Sequence, residues 1–499
     1  VSQLRTVDAF AGTHFADWMT SDYAWQTPIL MNVAELSMLW LIGCSGGEST
    51  VPKGVTPPGV DLGKKEDDVP KGPDYFKTLS PSETGVDFTF YNGEQHDHLA
   101  ILESLGGGVG LIDYDGDGLL DLFCIGGGDY DKSAKEYAKD KKNPPNILGH
   151  PCKLYRNKGN FQFEDVTDKV LKRKGDWFFT HGCAVADYNC DGWPDLVVTG
   201  YHDLMLFRND PADKNDPTKG RILIDVSKES GITKGINWSS SAGWADLDGD
   251  GYPELYVCNY ANWNWKTHVP CSYDGSVPDV CSPKTFKGEQ DCLFQNNRDG
   301  TFTNVSQTVT RLKRGKGGKK GLVPDKKGLM PGGEHACKGL GVIIADYNKD
   351  GLPDVYVAND TVDNHLYLNY SKSKDFIFHE TAMTLGVARD RRATPNGSMG
   401  LAVGDYDGSG RPSIFVTNYE GEMQALYHIR DRFFRKIPIH NIYKPAQNGR
   451  NEVFYFRHDT VPAGISSIGQ NYVAWGTTFL DLDNRGKLDM IFLSGHAIR

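Results

Sequence analysis

The chain has 499 residues, 24% of them charged and 39% hydrophobic, a globular composition whose length allows about two or three domains. Its formal charge of −11 gives no support to nucleic-acid binding, which normally leaves a basic footprint. No run of about 18 apolar residues marks a spanning helix, and the ten cysteines form neither a paired Cys-x-x-Cys zinc pattern nor a Cys-x-x-Cys-His haem motif.

Residues 1–44 read as a signal-like segment. A short apolar stretch ends in Leu41-Ile42-Gly43-Cys44, which resembles a bacterial lipobox and would place a lipid anchor on Cys44. A basic n-region is missing and Glu35 interrupts the stretch, so a short helix with a chance cysteine is the alternative. Residues 45–73 are Gly, Pro, Ser, Thr and charged residues, a disordered linker that cannot offset its ordering entropy by burial. From Tyr75-Phe76 to Phe88-Thr89-Phe90 the pattern suggests one strand with no unit of its own, suited to completing the last blade of a ring.

From residue 107 a unit repeats. An apolar run enters a loop Asp-x-Asp-x-Asp-Gly-x-x-Asp, and three more short strand-like runs follow, separated by turn residues. The loops begin at Asp113, Asp187, Asp246 and Asp346, with two worn copies at Asp405 and Asp481. In the first unit the later runs are Leu122–Ile125, Lys153–Asn157 and Phe161–Val166. Four strands per unit, many units and no helical periodicity predict an all-β propeller of four-stranded blades over residues 74–499. Six units are visible, the sixth stopping after its second strand at Met490–Leu493, which predicts a seventh blade beyond residue 499. Insertions lie at 126–151, at 259–291 and, rich in Lys and Gly, at 307–337.

Crowded carboxylates repel one another unless a cation lies among them. A hard dication takes six to eight oxygens, and side chains at loop positions 1, 3, 5 and 9 with the position-7 carbonyl can supply them while Gly at position 6 turns the chain. The expected calcium ligands are Asp113, Asp115, Asp117, Leu119 and Asp121 in loop 1, and Asp187, Asn189, Asp191, Trp193 and Asp195 in loop 2. Loop 3 offers Asp246, Asp248, Asp250, Tyr252 and Glu254, and loop 4 offers Asp346, Asn348, Asp350, Leu352 and Asp354. An EF-hand is excluded because position 12 of loop 1 is Cys124 in a β-like run. Loop 5 has Ser409 and Ser413 at positions 5 and 9, and loop 6 has Arg485 at position 5, placed to pair with Asp481 or Asp483, so both are expected to be weak or empty.

These features resemble the FG-GAP/VCBS repeat family, whose propeller also forms integrin α-subunit heads, and more closely the bacterial cartilage-acidic-protein-like chains in which the propeller precedes an ASPIC/UnbV domain. The motifs that carry the resemblance include Leu111–Gly118, Val357–Asn364, Pro395–Gly400, Asp405–Pro412 and Trp475–Phe479. The resemblance implies calcium in the loops and nothing catalytic. This chain departs from it by ending before the last blade and the ASPIC/UnbV module.

Among the cysteines, Cys271–Cys281 and Cys258–Cys292 are candidate disulfides, and Cys124 and Cys152 bracket the first insertion in the same way. The basic residues of 307–337 read as a solvated surface loop, Trp244 and Trp475 as packing between blades, and His181 and His335 as structural or surface residues. The expectation is a non-enzymatic, extracytoplasmic scaffold that binds a surface protein or glycan through its insertions. A polysaccharide lyase or hydrolase working at the propeller face is the alternative.

Overall fold

A computed structural model describes residues 6–7, 76–272, 275–314, 322–329, 337–433 and 452–495. Cys44, the linker, His335 and most of residues 1–44 lie outside the described residues.

Successive units form separate antiparallel sheets, each an up-and-down meander whose first strand is innermost. Blade 1 is built from Val109–Ile112, Asp121–Cys124, Lys153–Asn157 and Phe163–Asp165. Blade 2 uses Thr180–Ala186, Asp195–Gly200, Leu204–Pro211 and Arg221–Asp225. Blade 3 uses Ser239–Ala245, Glu254–Asn259, Cys292–Asn296 and Phe302–Asn304. Blade 4 uses Gly339–Ala345, Asp354–Asn359, His365–Asn369 and Ile377–Glu380. Blade 5 uses Leu401–Gly404, Ser413–Val416, Ala425–Phe433 and Glu452–His458. Of blade 6 the described strands are Val473–Leu480 and Asp489–Gly495, and Thr6–Val7 runs parallel to the second of them.

The inner strands of consecutive blades lie side by side from blade 1 to blade 6. Both faces of a blade are therefore buried, which is why second strands such as Leu196–Val198 and Val355–Val357 are continuously apolar rather than alternating. Each pair of blades encloses its own core. Phe123, Leu154, Leu196 and Phe207 fill the space between blades 1 and 2, Trp244, Leu255 and Phe294 that between 2 and 3, and Tyr356, Leu366, Ile414 and Tyr427 that between 4 and 5.

Three expectations are corrected. The described part of 75–90 is not a strand. Pro81–Thr84 is one helical turn, started by the Glu83 carboxylate accepting the Ser80 N–H at 2.7 Å and stopped by Gly85 in the left-handed region. Gly231 and Gly386 end the equivalent turns after blades 2 and 4, and all three glycines lie against the carbonyl of an outer-strand phenylalanine in the next blade, namely Phe163, Phe302 and Phe456. Residues 80–86 thus repeat the turn that follows a blade, and Val86 and Phe88 cover the face of blade 1 turned away from blade 2.

The basic insertion is not only a loop. Thr310–Arg314 and Leu322–Lys327 form a hairpin whose first strand pairs in parallel with the outer strand of blade 4, covering an edge that would otherwise be open.

Cys258 and Cys292 do not bridge. Val257 is the residue opposite Cys292, so the two-residue period of a strand turns Cys258 to the other face, where its thiol meets the Gly341 carbonyl of blade 4. Cys124 lies opposite Lys153 rather than Cys152, with the same result, and all four thiols are free and buried. Cys271–Cys281 is a disulfide.

The expected pairing of Arg485 with Asp483 is present and extends to Asp489, while Asp481 accepts the backbone N–H groups of Arg485 and Gly486.

Candidate metal centre

Every acidic loop is the hairpin between a blade's first and second strands, so the loops share one end of the strands. The position-1 carboxylate organises each one. Asp113 accepts the N–H groups of Gly116 (2.9 Å), Asp117 (3.1 Å) and Gly118 (3.0 Å), Asp246 accepts the matching three of its loop, and Asp187 and Asp346 accept those of positions 5 and 6. Position 5 caps position 7: Asp117, Asp191, Asp250 and Asp350 accept the N–H of Leu119, Trp193, Tyr252 and Leu352 at 2.9–3.0 Å. Asn189 and Asn348 at position 3 accept the N–H of Asp191 and Asp350. The position-6 glycines 118, 192, 251 and 351 have φ of 84–93°, and nothing lies within 4 Å of where a Cβ would be, so they are required by backbone conformation alone.

Position 9 is the first residue of the second strand, and Asp121, Asp195, Glu254 and Asp354 are all fully buried. Each carboxylate receives two backbone N–H groups, one from position 2 of its own loop and one from an asparagine at or near the end of the third strand. For Asp195 these are Tyr188 (3.2 Å) and Asn209 (2.8 Å), and for Asp354 they are Tyr347 (2.9 Å) and Asn369 (2.8 Å). Burial outweighs those bonds and pushes the carboxyls up, to about 7 for Asp121 and about 8 for Asp195 and Glu254.

Among the described residues, three sets of carboxylates bring ligand atoms within 4.8 Å of one another: Asp113, Asp115 and Asp121; Asp246, Asp248 and Asp250; and Asp481, Asp483 and Asp489. The first two belong to loops 1 and 3, which have carboxylates at positions 1, 3, 5 and 9. Loop 2 and loop 4 carry Asn at position 3, and their carboxylates do not form such a set. An arginine already accompanies loops 1, 3 and 6. Arg156 pairs with Asp115 (2.6 Å) and Asp117 (2.9 Å), Arg298 donates to Asp250 (2.7 Å), and Arg485 sits in loop 6. In loop 5, His428 faces Asp407 at 3.5 Å.

The donor set fits a hard dication on one specific observation. Asp248, only 5% exposed, keeps a buried Oδ2 with no hydrogen-bond partner, and Asp115 keeps such an Oδ1. Burial first, then the neighbouring Asp250 and Asp246, raise the Asp248 carboxyl to about 6. Leaving a buried carboxylate oxygen unpaired is costly, and an ion bound among these oxygens would remove both the orphan and the repulsion.

Sequence reasoning missed the asparagines. Asn157, Asn209, Asn296 and Asn369 lie at or near the ends of their third strands, and their side-chain amides reach back to the carbonyl at loop position 8, those of Leu120, Pro194, Pro253 and Pro353. The signal was present as an Asn closing each third apolar run, as in Leu206-Phe-Arg-Asn209 and Leu366-Tyr-Leu-Asn369.

The FG-GAP-like repeat family matches residues 113–198, 187–257 and 346–416, which contain loops 1 to 5. The chain carries FG-GAP-like repeats. A curated relative of this FG-GAP-repeat chain is cartilage acidic protein 1 of Xenopus tropicalis, 21% identical over an alignment of 444 residues that covers 78% of this chain and 58% of the relative. The chain thus spans little more than half the length of that protein. A solved structure concerning specific recognition of non-reducing terminal N-acetylglucosamine by an Agrocybe aegerita lectin is 13% identical with a TM-score of 0.38, over 77% of this chain and 73% of that one. A score that low carries no functional argument.

Proposed function

We propose that the chain is a calcium-binding propeller scaffold, working outside the cytoplasm, that presents its insertions to a surface protein or glycan. Loops 1 to 4 hold the ions, and loops 5 and 6 are weak or empty because Ser409 and Arg485 replace ligands. Calcium is structural in this account. The observation that carries it is the buried, partnerless Asp248 Oδ2 inside a converging triplet.

The binding role is supported by how the insertions are built. Ile101, Leu102, Tyr130, Phe179, Tyr201, Trp238, Trp263 and Phe286 form one core at the strand ends opposite the acidic loops, so the first and third blades' insertions share a rigid cap. Binding residues concentrate on loops held by such frames. The Cys271–Cys281 disulfide supports an oxidising compartment, and Cys44 supplies the proposed lipid anchor. A glycan and surface-protein binding screen with and without chelator tests the role. Retention of a partner only by the calcium-loaded protein is expected, and a screen without any partner on either arm counts against it.

One cluster favours the alternative, a carbohydrate-active enzyme. At the cap end Tyr260 donates to Asp360 (2.6 Å), buried Lys338 donates to the Pro283 carbonyl (2.6 Å), and Glu422 accepts the Gly397 N–H (2.8 Å). Burial raises the Asp360 carboxyl to about 6 and lowers the Lys338 amine, a pairing of acid and base that catalytic sites use. Release of reducing ends from acidic or neutral polysaccharides that Asp360→Asn abolishes would establish that reading over the scaffold.

A further inference from the structure

The asparagines do more than close their own hairpins. Asn209 is fully buried, and its side-chain amide donates to two carbonyls in different blades: Pro194 at position 8 of loop 2 (3.2 Å) and Tyr114 at position 2 of loop 1 (2.9 Å). Asn296 does the same between Pro253 of loop 3 (3.1 Å) and Tyr188 of loop 2 (2.8 Å). Asn369 joins Pro353 of loop 4 (2.9 Å) to Leu247 of loop 3 (2.8 Å). The peptide N–H of each asparagine is the group held by the position-9 carboxylate of its own loop, at 2.8 Å for Asn209 and Asn369 and 3.4 Å for Asn296. Asn157 makes the equivalent bonds to Asp121 (2.7 Å) and Leu120 (2.9 Å) within its own loop, and no acidic loop precedes loop 1 in the described residues.

We propose that Asn209, Asn296 and Asn369 are positioning residues that make metal binding in neighbouring loops interdependent. The proposal rests on the calcium reading above. An ion in loop 2 fixes Asp195, Asp195 fixes the Asn209 peptide, and the Asn209 amide fixes the Tyr114 carbonyl, which lies between the position-1 and position-3 ligands of loop 1. Order gained in one loop is therefore already present when its neighbour binds, and the coupling is reciprocal by linkage. Only a primary amide on a short stem serves: it has two protons to give to two carbonyls, whereas Asp offers no donor and Leu, of similar shape, offers none either.

The test is calorimetric calcium titration of the unsubstituted chain, Asn209→Leu and Asn157→Leu, with folding checked by circular dichroism in chelator. Asn157→Leu removes a comparable bond that joins no two loops. The expected result is that Asn209→Leu flattens the isotherm and weakens the sites flanking the joint by about five- to tenfold, while Asn157→Leu leaves the steepness unchanged. Equal effects of the two variants, or no effect of Asn209→Leu, overturn the coupling. If Asn209→Leu does not fold, Asp191→Ala, an exposed change in loop 2, gives the same information. With Asn209 intact the remaining sites should bind several-fold more weakly, and unchanged remaining sites overturn the proposal. Absence of any calcium heat from the unsubstituted chain is a different failure, that of the metal reading itself.

Discussion

Replacing Asp195 by Asn separates the two tasks assigned to position 9. In the metal-free chain Asp195 is an acceptor for two backbone N–H groups, Asn209 at 2.8 Å and Tyr188 at 3.2 Å, in a fully buried setting. An asparagine keeps one acceptor and turns an NH2 toward the other N–H, leaving a buried donor unsatisfied at a cost of about 1–3 kcal/mol. With calcium present the same change also removes an anionic ligand. If loop 2 then no longer binds, stabilisation of about 2.7 kcal/mol is lost at a hundredfold excess of calcium over Kd. Asp195→Asn should therefore destabilise by about 1–3 kcal/mol in chelator and by about 4–6 kcal/mol in saturating calcium. Denaturant unfolding of both proteins in both buffers reads the difference. An equal loss in the two buffers would refute position 9 as a ligand and leave it a hairpin cap alone.

The pH dependence of the metal-free chain follows from the raised carboxyls. Asp121, Asp195 and Glu254 titrate at about 7, 8 and 8 when folded, above the ordinary carboxylate range of about 4, so their contribution is fully present below about pH 4 and is lost as pH rises toward 8. Buried histidines act oppositely: His181 and His365 are held down to about 3 and 4, so their contribution is fully present above the unfolded value near 6.5 and is lost as pH falls from there toward the folded values. The clean window is thus about pH 6.5–8, where Tm in chelator should fall with rising pH and calcium should flatten the slope; a calcium-independent slope counts against ions at these groups. Gly251→Ala meets no atom within 4 Å but must hold φ near 93°, so it should cost about 1–2 kcal/mol by thermal melting, with Gly251→Asn milder; a neutral alanine would show that the loop relaxes out of its ligating shape. Cys271→Ser opens a loop of 10 residues, worth about 2–3 kcal/mol, and should make 259–291 cleave faster in limited proteolysis while the ring still melts cooperatively; unchanged cleavage would show that the Trp263–Phe286 core alone holds the insertion.

Much of the architecture was legible because one loop chemistry recurs. Asp113, Asp187, Asp246 and Asp346 mark the first hairpin of each blade, and the apolar runs after position 9 are apolar on both faces because neighbouring blades cover both. Pairing that depends on strand phase was not legible. Cys258 and Cys292 are close in every counting sense, yet a one-residue offset puts their thiols in different cores. Residues 75–90 had strand composition, but Pro81 and the Ser80–Glu83 exchange set a helical turn instead. The asparagine joints could be seen as repeated letters, but only the three-dimensional neighbour, the position-2 carbonyl of the previous loop, gives them a task. The cation beside loops 1 and 3 was equally hidden, since Arg156 and Arg298 come from the third strand and the turn after it, 39 or more positions downstream of the carboxylates they meet.

The most direct measurement is the number of calcium ions bound per folded chain, by equilibrium dialysis with atomic emission after chelator stripping. About four tight ions are expected, one for each of loops 1 to 4, falling by at least one in Asp248→Asn. A stripped chain that takes up no calcium, or one whose uptake is unchanged by Asp248→Asn and Asp195→Asn together, would contradict the claim that these buried carboxylates exist to hold ions.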